Sequence, residues 1–240
     1  RPFVELMRRV LADDPSFVVD LGCGPGNLTR TLAERWPGAT VLGVDSSPEM
    51  VEAARAAGET ARLRFELADL REWSPPGPVD VLTTNATLQW VPGHLDLLPR
   101  LLGMLRPGGW FACQVPGNFG ERSHTAITEL AARSPWRERL AGASLERPAS
   151  AEPAEYLATV QPLASRVDVW ETTYLQVLQG EDAVVRWISG TGLRPLLQTV
   201  KEEHQEELLA DYRGLIVDAY PEEEWGTVLP YRRIFMVAQR

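Results

Sequence analysis

The stretch Val18-Val19-Asp20-Leu21-Gly22-Cys23-Gly24-Pro25-Gly26-Asn27 decides the fold of this chain. Its apolar start is typical of a strand that helices cover on both faces. Its three alternating glycines let the backbone approach a ligand that a Cβ atom would exclude. Asp45 closes the next predicted strand. Together these features predict an α/β sheet that binds a nucleotide-like cofactor.

The spacing of the glycines distinguishes between cofactors. A dinucleotide fingerprint reads G-x-G-x-x-G and binds the pyrophosphate on N–H groups of the following helix. Here the third glycine comes one residue early, and Asn27 occupies the dinucleotide position. The variant Asp20-Leu-Gly-Cys-Gly-Pro-Gly26 resembles motif I of class I S-adenosylmethionine-dependent methyltransferases. A nicotinamide-dependent oxidoreductase and a plain strand-to-helix turn remain alternatives, because a glycine-rich turn alone is weakly specific.

Composition restricts the class of partner. The chain has 240 residues, 44% of them hydrophobic, which suits one core with an insertion. A net charge of −9 disfavours a nucleic-acid substrate and favours a small molecule. Cys23 and Cys113 predict neither a disulfide nor a metal site. With no candidate membrane span or signal peptide, we expect a cytoplasmic protein, as a monomer or weak homo-oligomer.

The first half of the chain alternates strands and helices, which predicts a parallel sheet with helices on both faces. Residues 105–109, Leu-Arg-Pro-Gly-Gly, are predicted to form a turn before the fifth strand. The predicted strands lie near 17–20, 41–45, 63–66, 79–84 and 110–115, with helices after Pro25, over 48–57 and over 94–104.

The second half predicts a helical cap. A helical stretch over 123–140 runs into an Ala/Ser/Glu/Pro-rich linker over 141–155, and charged helices cover 181–188 and 202–220. Alternating segments over 166–174 and 233–238 are predicted to complete the sheet, and the resemblance to class I methyltransferases implies that the last strand is antiparallel. The expected domains are a cofactor-binding core over 1–118, cap insertions over 119–165 and 179–228, and sheet-completing strands over 166–178 and 229–240.

Several side chains are predicted to bind the cofactor. Asp45 lies about 20 residues beyond the glycines, where a carboxylate accepts hydrogen bonds from ribose hydroxyls; a helix N-terminal role explains it equally. Asp69 is expected beside the adenine amino group, and Met50 beside the ring, with core packing as the alternative for Met50. The other predicted cofactor contacts are Gly22, Cys23, Gly24, Ser46, Leu70 and Asn85.

Residues 85–91, Asn-Ala-Thr-Leu-Gln-Trp-Val, follow the fourth strand where the strand order of such sheets reverses, which is where ligands bind. Asn85 is expected to hold the methionine end of the cofactor. Trp90 is predicted to wall the methyl-transfer chamber, since an aromatic face favours a nearby sulfonium cation. The alternative for Trp90 is a core anchor between helix and sheet.

Over nearly its whole length the chain resembles the family of trans-aconitate methyltransferases. The resemblance implies a Rossmann-like class I sheet with a helical cap, and carboxyl methylation of trans-aconitate or a closely related small polycarboxylic acid, which yields S-adenosylhomocysteine. The alternative acceptors are another small acid or a natural-product hydroxyl. The family also carries a short aromatic segment ahead of the Arg1 position, and we expect such a lid to become ordered when ligand binds. The residues that carry the resemblance are Asp20 to Gly26, Asp45 to Pro48, Asn85-Ala86, Gln89-Trp90-Val91, Asp168-Val169-Trp170, Thr172-Thr173-Tyr174, Thr191 to Pro195, Arg233 and Phe235.

The implied reaction needs no general base, because a carboxylate with a pKa of about 4 is already ionised at neutral pH. No catalytic acid, base or metal ligand is therefore predicted. A polycarboxylate entering an acidic protein calls for arginine forks, which nominates Arg194 and Arg233, with Gln114 and Tyr174 as further hydrogen-bonding partners. Surface salt bridges are the alternative for the arginines, and a loop residue that hydrogen-bonds to the backbone is the alternative for Gln114. His94 is predicted to be a helix-terminal residue.

Overall fold

A computed structural model describes residues 1–141, 143 and 149–240 of the chain. It divides into two compact units. Unit 1 comprises Arg1–Pro116, Ala149–Thr172 and Arg233–Arg240, and unit 2 comprises Gly117–Pro148 and Thr173–Arg232. Part of the predicted linker over 141–155 falls outside the described residues. The described residues contain no helix long and apolar enough to cross a membrane.

The strands confirm the predicted class I sheet. They are β1 (Phe17–Leu21), β2 (Thr40–Asp45), β3 (Leu63–Leu67), β4 (Val79–Asn85), β5 (Leu105–Pro116), β6 (Arg166–Leu178), β7 (Glu222–Glu223) and β8 (Gly226–Gln239). The order is β3-β2-β1-β4-β5-β8-β6, and β7 pairs with β8. Strands β1 to β5 pair in parallel, and β8 joins β5 antiparallel. The order therefore reverses between β1 and β4, as the sequence predicted.

The helices of unit 1 follow from short local signals. Pro48 occupies the first position of its helix, and the Ser47 hydroxyl accepts the Met50 N–H at 3.3 Å as the N-terminal cap. The helix predicted after Pro25 begins two residues later, at Asn27. The helices are α1 (Pro2–Met7), α2 (Asn27–Arg35), α3 (Pro48–Ala56), α4 (His94–Gly103) and α7 (Pro153–Val160).

Two stretches of unit 1 differ from the sequence prediction. Leu105 to Gly109 is part of β5 and not a separate turn, because Leu105 already pairs with Val79 across a register shift. Residues 149–165 belong to unit 1 and not to the cap. The reason is that α7 buries Tyr156 and Val160 in the same core as the central strands.

Unit 2 has a core of its own. Trp136, Leu208, Tyr212 and Ile216 are buried there with the apolar faces of several short helices. The single helix predicted over 123–140 is two helices, separated at Ser134-Pro135. The helices of this unit are α5 (Arg122–Ala132), α6 (Trp136–Arg139), α8 (Ala183–Ser189), α9 (Arg194–Thr199) and α10 (Gln205–Ile216).

Candidate functional site

The carboxyl ends of β1, β2 and β4 meet at the same edge of the sheet in unit 1. Leu21 pairs with Val44 on one side and with Thr84 on the other, so the three strands end level with one another. Open α/β sheets bind their ligands at this edge, where the strand order reverses. The glycine loop after β1 and the loop after β4 therefore flank a candidate ligand site.

The glycine loop uses its own N–H groups internally. Gly22 and Cys23 both donate to the carbonyl of Val44, at 2.7 and 3.1 Å. Gly24 donates to Asp45 Oδ2 at 2.8 Å, and Gly26 donates to the carbonyl of Cys23 at 3.1 Å. A pyrophosphate needs such donors for itself. These four N–H groups already have acceptors within the protein, so the loop is less suited to a pyrophosphate.

Two of the glycines are required for different reasons. Gly22 has a φ of 73°, and a Cβ there would lie 2.1 Å from the Thr87 hydroxyl. Gly24 also has a positive φ, 53°, but a Cβ there would meet nothing within 4 Å. The first glycine thus admits the loop after β4, whereas the second borders open space that a ligand can occupy.

Asp45 is placed for a diol, but part of its carboxylate is already engaged. Oδ2 accepts the Gly24 N–H, and Oδ1 accepts the Ser47 N–H at 2.9 Å. A carboxylate accepts about four hydrogen bonds, so two positions remain for ribose hydroxyls. Ser47, not Asp45, caps α3 through its side chain. Ser46 beside it is exposed, and Met50 in the first turn of α3 is half-buried.

Asp20 is a second acid at this edge, which the sequence analysis did not nominate. Its side chain is buried and accepts a hydrogen bond of 2.7 Å from the Thr29 hydroxyl. Burial, with a smaller contribution from the charge of Asp45, raises the pKa of Asp20 to about 6. The sequence signal that could have identified Asp20 is its position as an acid at the end of an otherwise apolar strand. The two carboxylates make this edge attractive to a cationic ligand.

The other predicted adenine-side residues are less simply arranged. Arg71 hydrogen-bonds to both carboxylate oxygens of Asp69 and lowers its pKa. The side chain of Leu70 is buried in the unit 1 core. Cys23 is buried too, and burial raises the pKa of its thiol to about 12. Its predicted contact is therefore not that of a thiolate.

A line of buried polar groups runs along one sheet face towards the same edge. Thr83 is the β4 partner of Asp20 in the register, and Asn85 is the β4 partner of Gln114 on β5. Thr83 and Asn85 share a face because strand side chains alternate. Within the described residues, Thr83 Oγ1, Asn85 Oδ1 and Gln114 Nε2 are buried without a hydrogen-bond partner. Such groups are costly unless a ligand or water satisfies them.

Trp90 lies in a short 3-10 turn, Leu88–Trp90, and is 66% exposed. The alternative that it anchors the core is therefore wrong. The turn belongs to the loop after β4, in which Ala86 has a φ of 56° and the Thr87 hydroxyl donates to the Gly22 carbonyl at 3.3 Å. The exposed indole is free to contact a ligand at this edge.

Three of the family-like residues of β6 support the N-terminal helix. The Trp170 indole N–H and the Thr172 hydroxyl both donate to Glu5 Oε1, at 3.1 and 2.9 Å. Asp168 forms an ion pair with Arg9. Through these contacts, β6 fixes α1 within unit 1.

The predicted substrate ligands are divided between the units. Gln114 is 1% exposed and Arg233 is half-buried in unit 1, and Arg233 pairs with Pro116 at the end of β5. Tyr174 and Arg194 belong to unit 2. Tyr174 is buried, whereas Arg194 is exposed at the first position of α9. The described residues contain no group of three or more His, Cys, Asp or Glu side chains that could hold a metal.

Comparison with known proteins agrees with this geometry. Residues 18–109 match a family model described as a methyltransferase domain. The chain is 51% identical to a trans-aconitate 2-methyltransferase of Streptomyces avermitilis, with 100% of this chain and 91% of the relative aligned. It is 48% identical to the same enzyme of Streptomyces coelicolor, over 100% of this chain and 82% of the relative. It is 47% identical to a trans-aconitate 2-methyltransferase of an Azoarcus species, over 98% of this chain and 92% of the relative.

Solved structures share the fold at much lower identity. One is Haemonchus contortus phosphoethanolamine N-methyltransferase 2 in complex with S-adenosyl-L-methionine, with a TM-score of 0.58 and 14% identity over 99% of this chain and 52% of that one. Another is coclaurine N-methyltransferase bound to N-methylheliamine and S-adenosylhomocysteine, with a TM-score of 0.56 and 13% identity over 100% of this chain and 72% of that one. At such identity the similarity concerns the fold alone.

Proposed function

This chain belongs to the trans-aconitate 2-methyltransferase family, and we propose that it transfers a methyl group from S-adenosylmethionine to a carboxylate of trans-aconitate. The observation that carries the proposal is the arrangement at the carboxyl edge of the sheet. There the N–H groups of the glycine loop donate to acceptors within the protein, and two acids, Asp20 and Asp45, lie beside the loop. A cationic nucleoside fits this arrangement better than a dinucleotide phosphate.

The cofactor, when bound, supplies a methyl group activated by a positively charged sulfur. In our proposal Asp45 binds the ribose hydroxyls, and its internal bonds to Gly24 and Ser47 hold the carboxylate in place for them. The open space beside Gly24, where a Cβ atom would meet nothing within 4 Å, provides the close approach. Asn85 holds the methionine end, and Met50 and Asp69 contact the adenine. Gly22, Cys23, Ser46 and Leu70 complete the proposed lining of the cofactor.

The acceptor carboxylate needs orientation and exclusion of water more than proton transfer. Its reference pKa is about 4, so its oxygen is a nucleophile without a general base. We propose that Gln114 and Arg233 bind carboxylates of the substrate and that Trp90 covers the reacting atoms. Gln114 Nε2, which has no hydrogen-bond partner in the part of the chain that the structure describes, supports this role. Holding the oxygen at about 3–3.5 Å from the methyl carbon supplies the catalysis. Tyr174 and Arg194, in unit 2, remain substrate ligands proposed from the sequence.

The direct test is methyl transfer from isotopically labelled S-adenosylmethionine to trans-aconitate, with the product identified by mass. We expect a monomethyl ester and S-adenosylhomocysteine in equal amounts. Matched reactions with cis-aconitate and citrate test the choice of acceptor. If none of the tricarboxylates is methylated, the acceptor assignment is wrong, whereas binding of S-adenosylhomocysteine separately tests the cofactor assignment.

We also propose that the enzyme works in a reducing compartment, the cytoplasm, as a monomer or weak homo-oligomer. Two free, buried cysteines, Cys23 and Cys113, are consistent with such a compartment. Light scattering at several protein concentrations measures the oligomeric state. A tight oligomer that persists on dilution would contradict that part of the proposal.

A further inference from the structure

The loop after β4, residues 86–93, is fixed to the glycine loop at its start. The Thr87 hydroxyl lies 3.2 Å from the Asn85 carbonyl and 3.3 Å from the Gly22 carbonyl, and its side chain fills the space that Gly22 leaves by lacking a Cβ atom. The Gln89 side-chain amide donates to the Ala86 carbonyl at 2.6 Å. The loop presents Trp90 to its surroundings. Whatever holds the far end of this loop therefore sets the position of the indole.

The far end is held by a buried pair that the proposed chemistry does not use. His94 is 7% exposed and Tyr156 is 1% exposed, and the Tyr156 hydroxyl lies 2.7 Å from His94 Nε2. The two rings stack with centroids 5.6 Å apart. His94 Nδ1 lies 3.3 Å from the carbonyl of Val91, inside the loop. The pair thus connects the loop to α7, which is 62 residues further along the chain.

Residues just before α7 add two further bonds. The Ala151 N–H donates to the Tyr156 hydroxyl oxygen at 3.3 Å, and the Ala149 N–H donates to the Gln89 carbonyl at 2.9 Å. The second of these bonds reaches the loop directly. Together, the contacts from residues 149–156 hold the loop at Gln89, Val91 and His94.

The donors and acceptors allow a consistent assignment of protons. Because the Tyr156 oxygen accepts from Ala151, its single hydrogen is available for His94 Nε2. Nδ1 then carries the imidazole proton and donates it to the Val91 carbonyl. Burial lowers the pKa of His94 and so favours this neutral form. Both side chains of the pair thereby have hydrogen-bond partners, which favours a single geometry for the pair.

We propose that His94 and Tyr156 are positioning residues that hold the loop over residues 86–93, and with it Trp90, in the geometry that binds the methyl acceptor. They act through the loop and touch no reacting atom. The inference rests on the proposed function, because it assigns Trp90 to the acceptor side of the site. The fixed contact between Thr87 and Gly22 leaves the cofactor side of the loop unaffected.

Tyr156→Phe tests the proposal by removing one hydroxyl while it keeps the ring. We expect amide hydrogen exchange over residues 86–93 to accelerate about tenfold, because His94 and Ala151 each lose a partner. We expect KM for trans-aconitate to rise about tenfold, with little change in kcat or in the affinity for S-adenosylhomocysteine. His94→Phe removes the same bond from the other side and is expected to act in the same direction.

Tyr212→Phe is the matched control. Tyr212 is also fully buried, and its hydroxyl donates to the Ser123 carbonyl at 2.6 Å, but it lies in the core of unit 2. This variant should lose comparable stability and leave both loop exchange and KM unchanged. A role limited to folding predicts that Tyr156→Phe behaves as Tyr212→Phe does.

Three outcomes separate the claims. Unchanged exchange over residues 86–93 in Tyr156→Phe, or in His94→Phe should the first variant not fold, overturns the inference. Faster exchange with an unchanged KM overturns the positioning role and leaves a purely structural one. If the wild-type enzyme methylates no tricarboxylate, the proposed function has failed, and the exchange experiment still decides whether the pair holds the loop.

Discussion

The polar side chains at the two ends of β4 differ in their hydrogen bonding. At the amino end, the Asp80 carboxylate accepts hydrogen bonds from the Ser16 N–H and hydroxyl and from the Phe17 N–H, at 2.9, 2.7 and 2.8 Å, and forms an ion pair with Arg106. At the carboxyl end, the side chains of Thr83 and Asn85 each leave a buried oxygen without a hydrogen-bond partner among the described residues.

This difference indicates that the amino end of β4 stabilises the fold and that its carboxyl end serves ligand binding. Asp80 is buried, and burial alone would raise its pKa; the hydrogen bonds from Arg106, Ser16 and Phe17 outweigh burial and lower the pKa to about 2. At the amino end, the hydrogen-bonding partners of the Asp80 carboxylate thus all come from the protein. Because buried unpartnered groups cost about 1–3 kcal/mol each, the carboxyl end is completed only by a ligand or by ordered water.

Asp80→Ala should give the largest effect, and on stability alone. It leaves two backbone N–H groups and Arg106 without their acceptor, so we expect the free energy of unfolding to fall by about 3 kcal/mol. Urea denaturation measures the loss. The affinity of the folded variant for S-adenosylhomocysteine should match that of the wild type. A weaker affinity would contradict the claim that the amino end of β4 serves stability alone.

Asp45→Ala, unlike Asp80→Ala, should weaken cofactor binding. Loss of the ribose acceptor and of the internal bonds to Gly24 and Ser47 is expected to weaken S-adenosylhomocysteine binding about 100-fold, since hydrogen bonds to a charged group contribute about 1.5–3 kcal/mol. Titration calorimetry measures the affinity. If binding is unaffected, the ribose does not lie on Asp45.

The raised pKa of Asp20 predicts how stability changes with pH. Its folded-state pKa, about 6, lies above the ordinary 3.8, so its contribution to stability is present below about pH 4 and is lost as pH rises through 6. Between pH 4 and pH 7 the unliganded wild type should therefore lose about 2 kcal/mol relative to Asp20→Asn. Denaturation of both proteins at the two pH values tests this. Parallel pH profiles would show that Asp20 is not buried as an acid.

Gln114→Leu should give the smallest effect and the sharpest contrast with Asp80. It removes a buried amide whose Nε2 atom has no partner among residues 1–141, 143 and 149–240, so the stability of the unliganded protein should stay equal or rise slightly. KM for trans-aconitate should rise about tenfold through loss of the donor. Steady-state kinetics with denaturation of the same preparation measures both. A clear loss of stability would indicate that the amide serves the fold.

Much of unit 1 follows from the sequence because its signals are local. The apolar run of β1, the turn chemistry of Ser47-Pro48 and the acid that ends β2 each depend on a few adjacent residues. The parallel sheet was predicted from such signals, and the antiparallel last strand from the resemblance to class I methyltransferases; both are confirmed.

What the sequence did not predict depends on partners far apart in the chain. The glycine N–H groups bind the end of β2, and the acidity of Asp20 depends on burial between elements. His94 was predicted only as a helix terminus, because its partner Tyr156 is remote. Helix α7 did carry a local signal, the capping box of Glu152 and Glu155, which an Ala- and Pro-rich composition obscured.

A crystal structure of the protein with S-adenosylhomocysteine tests the central claim most directly. We predict that the ligand lies at the carboxyl end of β4, with its ribose hydroxyls on Asp45 and its amino acid end near Asn85 and the carbonyl groups of the glycine loop. Asp80 and Arg106 should keep their contacts unchanged. A ligand bound elsewhere, or one that leaves Asp45 without a hydrogen bond to the ribose, would contradict the account.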